Sequence, residues 1–261
     1  ALLGVNDVDQ IKNRVDAAEA SGQFQCPVIG WLISTSDLTQ YAKPYAEAHR
    51  IFFTLYDDLL TRAIDIDAYH ARLVDGFDAH KDLYIHPLGK LKGADKPDLL
   101  DNLVKDRLLG TPRPLLLLGE PGIGKTLYSK WLAYDLVEQR RAGDWRTIPV
   151  LIPLDTVQAS STDFIPLYLN QQGVSLGLTI ERFLNDVGLV LILDGLDNLP
   201  IDPRHPVEIK SWLRAFTNIH ERGNPLVITC RTDFFNNYLE PILTHTDSGR
   251  HPEFDIVFME P

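Results

Sequence analysis

The chain has 261 residues, of which 44% are hydrophobic and 23% are charged, which suits one large globular domain or one domain with an appendage. Its formal net charge of −11 argues against a broad nucleic-acid-binding surface. No apolar run approaches the ~18 residues of a membrane-spanning helix, and no secretory signal opens the chain.

The first residue and the cysteines add two expectations. The chain starts at Ala1 and its only methionine is Met259, which favours a piece cut from a longer protein. Cys26 and Cys230 lie far apart, in or beside strand-like segments. They predict buried free thiols in a reducing compartment rather than a disulfide or a metal site. We therefore expect a cytoplasmic protein that does not contact a membrane.

Residues 1–64 are predicted to form a small α/β unit. Helices are expected at 6–20, 37–49 and 56–64, and strands at 27–34 and 51–55. Pro44 lies inside the second helix, where a proline would bend or end it. Strands that alternate with helices over so short a stretch are typical of an α/β arrangement.

Residues 65–95 are polar and weakly periodic, and they predict a connector with some helix. An amphipathic helix is expected at 97–109, and the Thr-Pro-Arg-Pro sequence at 111–114 should end it. A second, larger domain is therefore expected over 96–261.

The most informative segment is GEPGIGKT at 119–126, which matches the phosphate-binding loop pattern G-x-x-x-x-G-K-[ST] at every fixed position. An apolar run at 115–118 precedes it and a helical pattern at 127–138 follows it. The glycines let backbone N–H groups approach phosphate oxygens, and the helix N-terminus adds a positive dipole end. Lys125 is expected to reach the β- and γ-phosphates, and the Thr126 hydroxyl to bind Mg²⁺.

After this loop, apolar strands alternate with helices. Strands are predicted at 148–154, 189–193, 226–229 and 254–258, and helices at 163–171, 179–186 and 207–221. Fully apolar strands of this kind indicate a parallel sheet that is covered by helices on both faces.

Two carboxylates follow the apolar strand at 189–193. Asp194 is placed where a phosphate-loop enzyme needs its second Mg²⁺ contact, at the strand end that faces the nucleotide crevice. Asp197, three residues on, is placed to orient or deprotonate an attacking water. The alternative for both is a pair of acids that caps a helix in a loop.

Arg231 directly follows the strand at 226–229 and its cysteine. An arginine at the end of a buried strand is costly unless it finds an anion. Beside a phosphate site, that anion would be the γ-phosphate, and the guanidinium would then distinguish a triphosphate from a diphosphate. The alternative is an arginine that pairs with Asp194 or Asp197.

Three segments in order, GEPGIGKT, LVLILDGLDNLP and LVITCRTDF, resemble the NACHT group of signal-transduction ATPases in the STAND class. The resemblance covers about residues 84–261 and includes the strand IPVLIPL and the closing segment FDIVFMEP. Gly195 and Asp197 fit the pattern that follows the metal aspartate in that group. Asn198 replaces the usual last acid, which puts the hydrolysis rate in question but not nucleotide binding.

The resemblance implies an α/β P-loop NTPase that binds ATP or ADP with Mg²⁺. Tyr84, Ile85 and Pro87 resemble the stretch that lies along the adenine base in such proteins. The loop residues implied to contact the nucleotide are Gly119, Glu120, Pro121, Gly122, Ile123, Gly124, Lys125, Thr126 and Leu127.

The segment at 29–60 resembles the closing half of a restriction-endonuclease-like domain of the Mrr type, with Ser34, Thr39, Ala42 and Ala46 in matching places. The nuclease chemistry of that family needs an Asp and a Glu-x-Lys that hold Mg²⁺, and residues 1–60 contain no Glu-x-Lys. Two possibilities stay open: the end of a nuclease whose catalytic part lies upstream of Ala1, or a small adaptor that was never catalytic.

Two functions remain open on the sequence. The first is a switch that ATP binding and hydrolysis shift between a closed monomer and an assembled oligomer, as in a prokaryotic antiviral sensor fused to a nuclease-like effector. The second is a continuously cycling ATPase of the AAA+ type. Gly195 at the position of the usual base favours the first. In either case we expect ATP hydrolysis. For the switch we also expect the full-length protein to self-associate. DNA contact is expected only through a missing nuclease part, and residues 1–261 are not expected to cleave DNA.

Overall fold

The computed structural model describes residues 2–22, 27–55, 66–110, 113–143, 147–157, 164–174, 188–244 and 253–260. The chain divides into two compact units, Ala1–Asp65 and Ile66–Pro261. The helices predicted at 56–64 and 179–186, and Cys26, lie outside the described residues. Among the described helices, none combines the length and the apolar character that a membrane crossing requires.

The first unit contains α1 (Val5–Ala20), β1 (Gly30–Ser34), α2 (Ala42–Ala48) and β2 (Ile51–Leu55). The two strands pair in parallel, with Gly30 opposite Ile51. Pro44 falls in the first turn of α2, where backbone N–H groups have no partner within the helix, so it does not break the helix. The core of this unit comprises Val8, Leu38, Ala42, Ala46 and Ile51.

The second unit carries a larger set of elements. Its helices are α3 (Asp67–Asp78), α4 (Leu100–Gly110), α5 (Lys125–Ala142), α6 (Phe164–Gln171), α7 (Pro206–Glu221), α8 (Thr232–Phe234) and α9 (Glu240–Thr244), with a π-helical stretch (Phe235–Leu239) between the last two. Its strands are β3 (Leu88–Leu91), β4 (Asp98–Leu99), β5 (Leu115–Gly119), β6 (Ile148–Pro153), β7 (Leu189–Asp194), β8 (Leu226–Arg231) and β9 (Asp255–Glu260).

These strands form one seven-stranded sheet in the order β4-β3-β9-β5-β8-β7-β6. The five strands from β9 to β6 are parallel, and β3 and β4 add an antiparallel edge. Every residue of β5 and β7 is buried, as expected for strands covered on both faces. The predicted fold class, a parallel sheet flanked by helices, is confirmed.

One face of the sheet packs on α3, α4 and α5. Tyr128, Trp131 and Leu132 of α5 share a core cluster with Leu115 and Leu117 of β5. Alternate strand residues, among them Leu116, Leu118, Leu191 and Leu193, are buried as well, so the opposite face is also covered.

Helix α3 lies within residues 65–95, which the sequence predicted to be a connector with some helix. It packs along β6, the edge strand of the sheet. The Tyr69 hydroxyl accepts from the Leu151 N–H at 2.9 Å and donates to the Leu151 carbonyl at 3.0 Å. The His70 ring nitrogen Nε2 lies 3.3 Å from the carbonyl oxygen of Pro149. Pro149 itself has no N–H to leave unpaired at an edge. Two side chains of α3 therefore contact backbone groups of β6 that would otherwise be open to hydrogen bonding by another strand.

This docking predicts a pH dependence of stability. Burial, with a contribution from Arg140, lowers the pKa of His70 to about 4. An unfolded histidine has a pKa of about 6.5. Between these values the unfolded chain binds a proton that the folded chain does not, so the stabilisation is complete above pH ~6.5 and is lost as the pH falls toward ~4.

Urea unfolding at pH 7 and at pH 4.5 measures this effect. Between the two pH values, the free energy of unfolding of the wild type should fall by about 2 kcal/mol more than that of His70→Gln, at about 1.36 kcal/mol per pKa unit. His80→Gln, which alters an exposed histidine just beyond α3, is the matched control and should follow the wild type. Equal losses in wild type and His70→Gln would show that His70 is not the titrating group.

Candidate nucleotide-binding site

The phosphate-binding loop connects the end of β5 to the start of α5, as the sequence predicts. Gly122 and Gly124 have φ angles of 82° and 104°, a region that side chains other than glycine rarely adopt. Gly124 is the N-cap of α5, and Lys125 begins the helix. The loop is thus followed by unpaired N–H groups at a helix N-terminus, an arrangement that binds phosphate.

Gly119, the first glycine of the loop, is required by close packing rather than by its backbone angles. A Cβ atom on Gly119 would lie 2.8 Å from Ile123 Cγ2 and 3.3 Å from Met259 Cβ. Met259 belongs to β9, and its Cε lies 3.7 Å from the position of a Cβ on Gly124. The neighbouring strand therefore supports the loop directly.

A cavity of about 540 Å³ opens beside the loop. The loop lines one side, Thr232 at the start of α8 contributes to the lining, and the end of β9 provides Phe258, Met259 and Glu260. The cavity lies at the carboxyl edge of the parallel strands, which is where ligands bind in open α/β sheets.

Lys125 is satisfied inside the loop. Its Nζ donates to the carbonyl oxygens of Gly119 at 2.6 Å and Glu120 at 3.0 Å. Desolvation lowers the pKa of this lysine, and Asp197 and Asp194 oppose that shift. A phosphate that binds Lys125 must compete with these two carbonyl groups.

Asp194 ends β7 and is 8% exposed. Its Oδ1 accepts hydrogen bonds from Ser129 Oγ at 3.0 Å and from Thr229 Oγ1 at 2.7 Å. Thr229 Oγ1 in turn accepts from the N–H of Gly195 at 2.8 Å. The carboxylate is therefore held by α5 and β8 together.

Asp197 lies in the 3-10 turn after β7 and pairs with Arg231. The Asp197 Oδ1 accepts from the Arg231 backbone N–H at 3.0 Å, and Oδ2 accepts from Nε at 2.7 Å. The side chain of Asp197 is 5% exposed and that of Arg231 is 43% exposed. Arg231 thus makes the carboxylate pair that the sequence left open as an alternative, and no described residue bonds its terminal Nη groups.

The strand order explains why these groups meet. β8 lies between β5, which leads into the phosphate loop, and β7, which ends at Asp194. Gly119 is opposite Arg231 in the β5–β8 register. The loop, Asp194 and Arg231 therefore all lie at the same edge of one sheet.

The segment at 84–87 reaches this edge because β3 runs antiparallel to β9, with Leu88 opposite Glu260. The Tyr84 ring stacks on Trp131 at 5.4 Å between centroids and 9° between planes. Ile85 is 85% exposed, and His86 pairs with Asp101 of α4. Tyr84 is thus engaged with α5, whereas the Ile85 side chain is open to contact.

Three residues that the sequence analysis did not single out contribute to the site: Ser129, Thr229 and Met259. Ser129 lies one helical turn after Lys125, and Thr229 is two residues before Arg231, on the same face of β8. These spacings could have indicated both hydroxyls, but Met259 could be assigned only from the strand order.

Similar structures include Cdc6p from Pyrobaculum aerophilum, at 23% identity over 55% of this chain and 40% of that chain, with a TM-score of 0.35. AMPPCP-bound DnaA from Aquifex aeolicus has 15% identity over 56% and 40%, with a TM-score of 0.30. C. elegans PCH-2 has 15% identity over 77% and 42%, with a TM-score of 0.30. The chain thus spans about two fifths of these proteins. No curated protein matches it significantly.

The TM-scores are low, so the assignment does not depend on these structures. The family model of the NACHT domain matches residues 113–251, which is more than half of the chain and includes the phosphate loop, both carboxylates and Arg231. The chain therefore belongs to the NACHT-domain family of P-loop NTPases.

Proposed function

We propose that this domain binds ATP and hydrolyses it slowly, as a nucleotide-dependent molecular switch. The observation that carries the proposal is the convergence of the phosphate loop, Asp194 and Arg231 at one sheet edge. Each supplies a different part of phosphoryl-transfer chemistry: backbone N–H groups and Lys125 for phosphates, a carboxylate for the metal and a guanidinium for the γ-phosphate.

The residues at the site fit Mg²⁺. Mg²⁺ prefers oxygen ligands and usually combines one or two protein groups with phosphate oxygens and water. No described residue hydrogen-bonds Asp194 Oδ2, and the exposed Thr126 follows Lys125 at the helix start. We propose that Thr126 and Asp194 hold the ion, which would neutralise charge on the phosphates when bound.

Asp197 is better suited to orient Arg231 than to accept a proton, because both of its oxygens already accept hydrogen bonds from that arginine. Asn198, which replaces the usual acid, cannot act as a base. The Asn198 side chain also packs closely on Gly195, because a Cβ atom at Gly195 would lie 2.5 Å from Asn198 Nδ2. Activation of water by Asp197 therefore requires the pair with Arg231 to change. This requirement supports a slow switch over a continuously cycling AAA+-like ATPase, for which steady untriggered turnover would be the signature.

We further propose that the full-length protein is a cytoplasmic antiviral defence sensor that self-associates on activation. The first unit has two adjacent strands and two helices, which are the elements that the end of an Mrr-type domain would contain. Trp31 and Phe52, stacked at 5.6 Å on neighbouring strands, are 53% and 52% exposed. An adaptor would also contain these elements. In either case residues 1–261 should not cleave DNA.

Lys125→Ala should weaken ATP binding at least tenfold, about 1.4 kcal/mol, because a charge-assisted contact to phosphate is lost. Calorimetric titration with ATP and Mg²⁺ measures this. Lys130→Ala, which alters an exposed lysine on the same helix, should bind like the wild type. Unchanged affinity in Lys125→Ala would remove the phosphate-loop assignment.

Asp194→Asn should retain the fold, because the amide oxygen can still accept from Ser129 and Thr229. Mg²⁺-dependent phosphate release should fall at least tenfold, since the metal loses a charged ligand. Asp106→Asn, at an exposed position of α4, is the control. Normal turnover in Asp194→Asn would mean that this aspartate is only structural.

Arg231→Ala should weaken binding of a non-hydrolysable ATP analogue by about tenfold more than binding of ADP, because the γ-phosphate loses a charged partner. Parallel titrations with both nucleotides measure the ratio, and Arg214→Ala, at an exposed position of α7, is the control. Equal losses for both nucleotides would show that Arg231 serves only as the partner of Asp197.

A further inference from the structure

Two hydroxyl groups donate hydrogen bonds to the same oxygen of Asp194, Oδ1. Ser129 and Thr229 are each 1% exposed, and they come from elements on different sides of the site, α5 and β8. Both distances to Oδ1, 3.0 Å and 2.7 Å, are those of well-formed hydrogen bonds. Oδ2 receives no hydrogen bond from the described residues.

The directions of these bonds are fixed by the groups involved. An ionised carboxylate can only accept, so both hydroxyls must donate to Asp194. Thr229 is then left with a lone pair for the N–H of Gly195, which it accepts at 2.8 Å. The chain from Gly195 through Thr229 to Asp194 therefore has one arrangement of protons, and it fixes the carboxylate relative to the turn after β7.

We propose that Ser129 and Thr229 are positioning residues that hold Asp194 by Oδ1 so that Oδ2 is presented to Mg²⁺ in the nucleotide complex. This inference rests on the proposed nucleotide-binding function. We name the three side chains Ser129, Thr229 and Asp194 the carboxylate clamp.

The clamp also connects Asp194 to the two elements that carry Lys125 and Arg231. Ser129 lies in the helix that begins with Lys125, and Thr229 lies in the strand that ends with Arg231. A shift of α5 or β8 on phosphate binding would therefore reach Asp194 through one hydrogen bond from that element. Hydroxyls that served only to satisfy a buried acid would have no effect on metal affinity beyond their effect on stability.

The test measures metal binding rather than turnover. Mn²⁺ is titrated into wild type, Ser129→Ala and Thr229→Val in the presence of a non-hydrolysable ATP analogue, and bound ion is followed by electron paramagnetic resonance. In each of these two variants, loss of a hydrogen bond to a charged group should raise the Mn²⁺ concentration at half-saturation, the midpoint, about tenfold. Analogue affinity measured in EDTA should stay within about twofold of wild type, because the phosphate loop is unchanged.

Three variants make the result specific. Thr229→Ser keeps the hydroxyl and should restore a midpoint near that of the wild type. Thr217→Val removes a hydroxyl that donates to the Leu213 carbonyl and should leave the midpoint unchanged. Adding Thr229→Val to Asp194→Asn should have no further effect, because a positioning residue acts only through the group that it positions.

Two results would overturn the clamp and leave the proposed function intact: a wild-type Mn²⁺ midpoint in both Ser129→Ala and Thr229→Val, or an equal rise in Thr217→Val. A wild type that shows no metal-dependent nucleotide binding would overturn both the clamp and the proposed function. If Thr229→Val does not fold, Ser129→Ala alone gives the same decision.

Discussion

The site depends on the cost of burying ionised carboxylates at the ends of apolar strands. An unpaired buried charge is destabilising by several kcal/mol, so Asp194 and Asp197 are compatible with the fold only if each carboxylate accepts hydrogen bonds. Asp194 meets this requirement with Ser129 and Thr229, and Asp197 meets it with Arg231. The same bonds that satisfy the acids place them at the carboxyl edge of the sheet, so the stability of this edge and its chemistry have one origin.

The cations of the site are satisfied from within as well. Lys125 donates to two loop carbonyl groups, and Arg231 donates to Asp197. A nucleotide therefore gains only the difference between its phosphates and these internal partners. Arg231 keeps Asp197 through Nε while its terminal nitrogens are available, whereas Lys125 has to exchange partners. This difference suits the proposed switch, in which the diphosphate part would drive binding and the γ-phosphate would add a second, separable interaction.

Much of the second unit could be predicted from local patterns. The phosphate loop, the strand before it and the strands that end at Asp194 and Arg231 follow from glycine spacing and apolar runs, which act over a few residues. The partner of Arg231 could not be chosen, because the choice depends on which strand lies beside β7. The role of residues 66–95 was also beyond local patterns: Tyr69 and His70 bond an edge strand about eighty residues away in sequence, and β3 joins the last strand of the sheet.

Hydrogen–deuterium exchange of the wild-type protein, with and without a non-hydrolysable ATP analogue and Mg²⁺, tests the central claim most directly. If the phosphate loop, β7 and β8 form one nucleotide site, amide exchange should slow at least severalfold in peptides that cover 119–126, 194–197 and 229–232. Peptides from α1 and α2 should be unaffected. Unchanged exchange at 119–126 in the presence of saturating analogue would contradict the account.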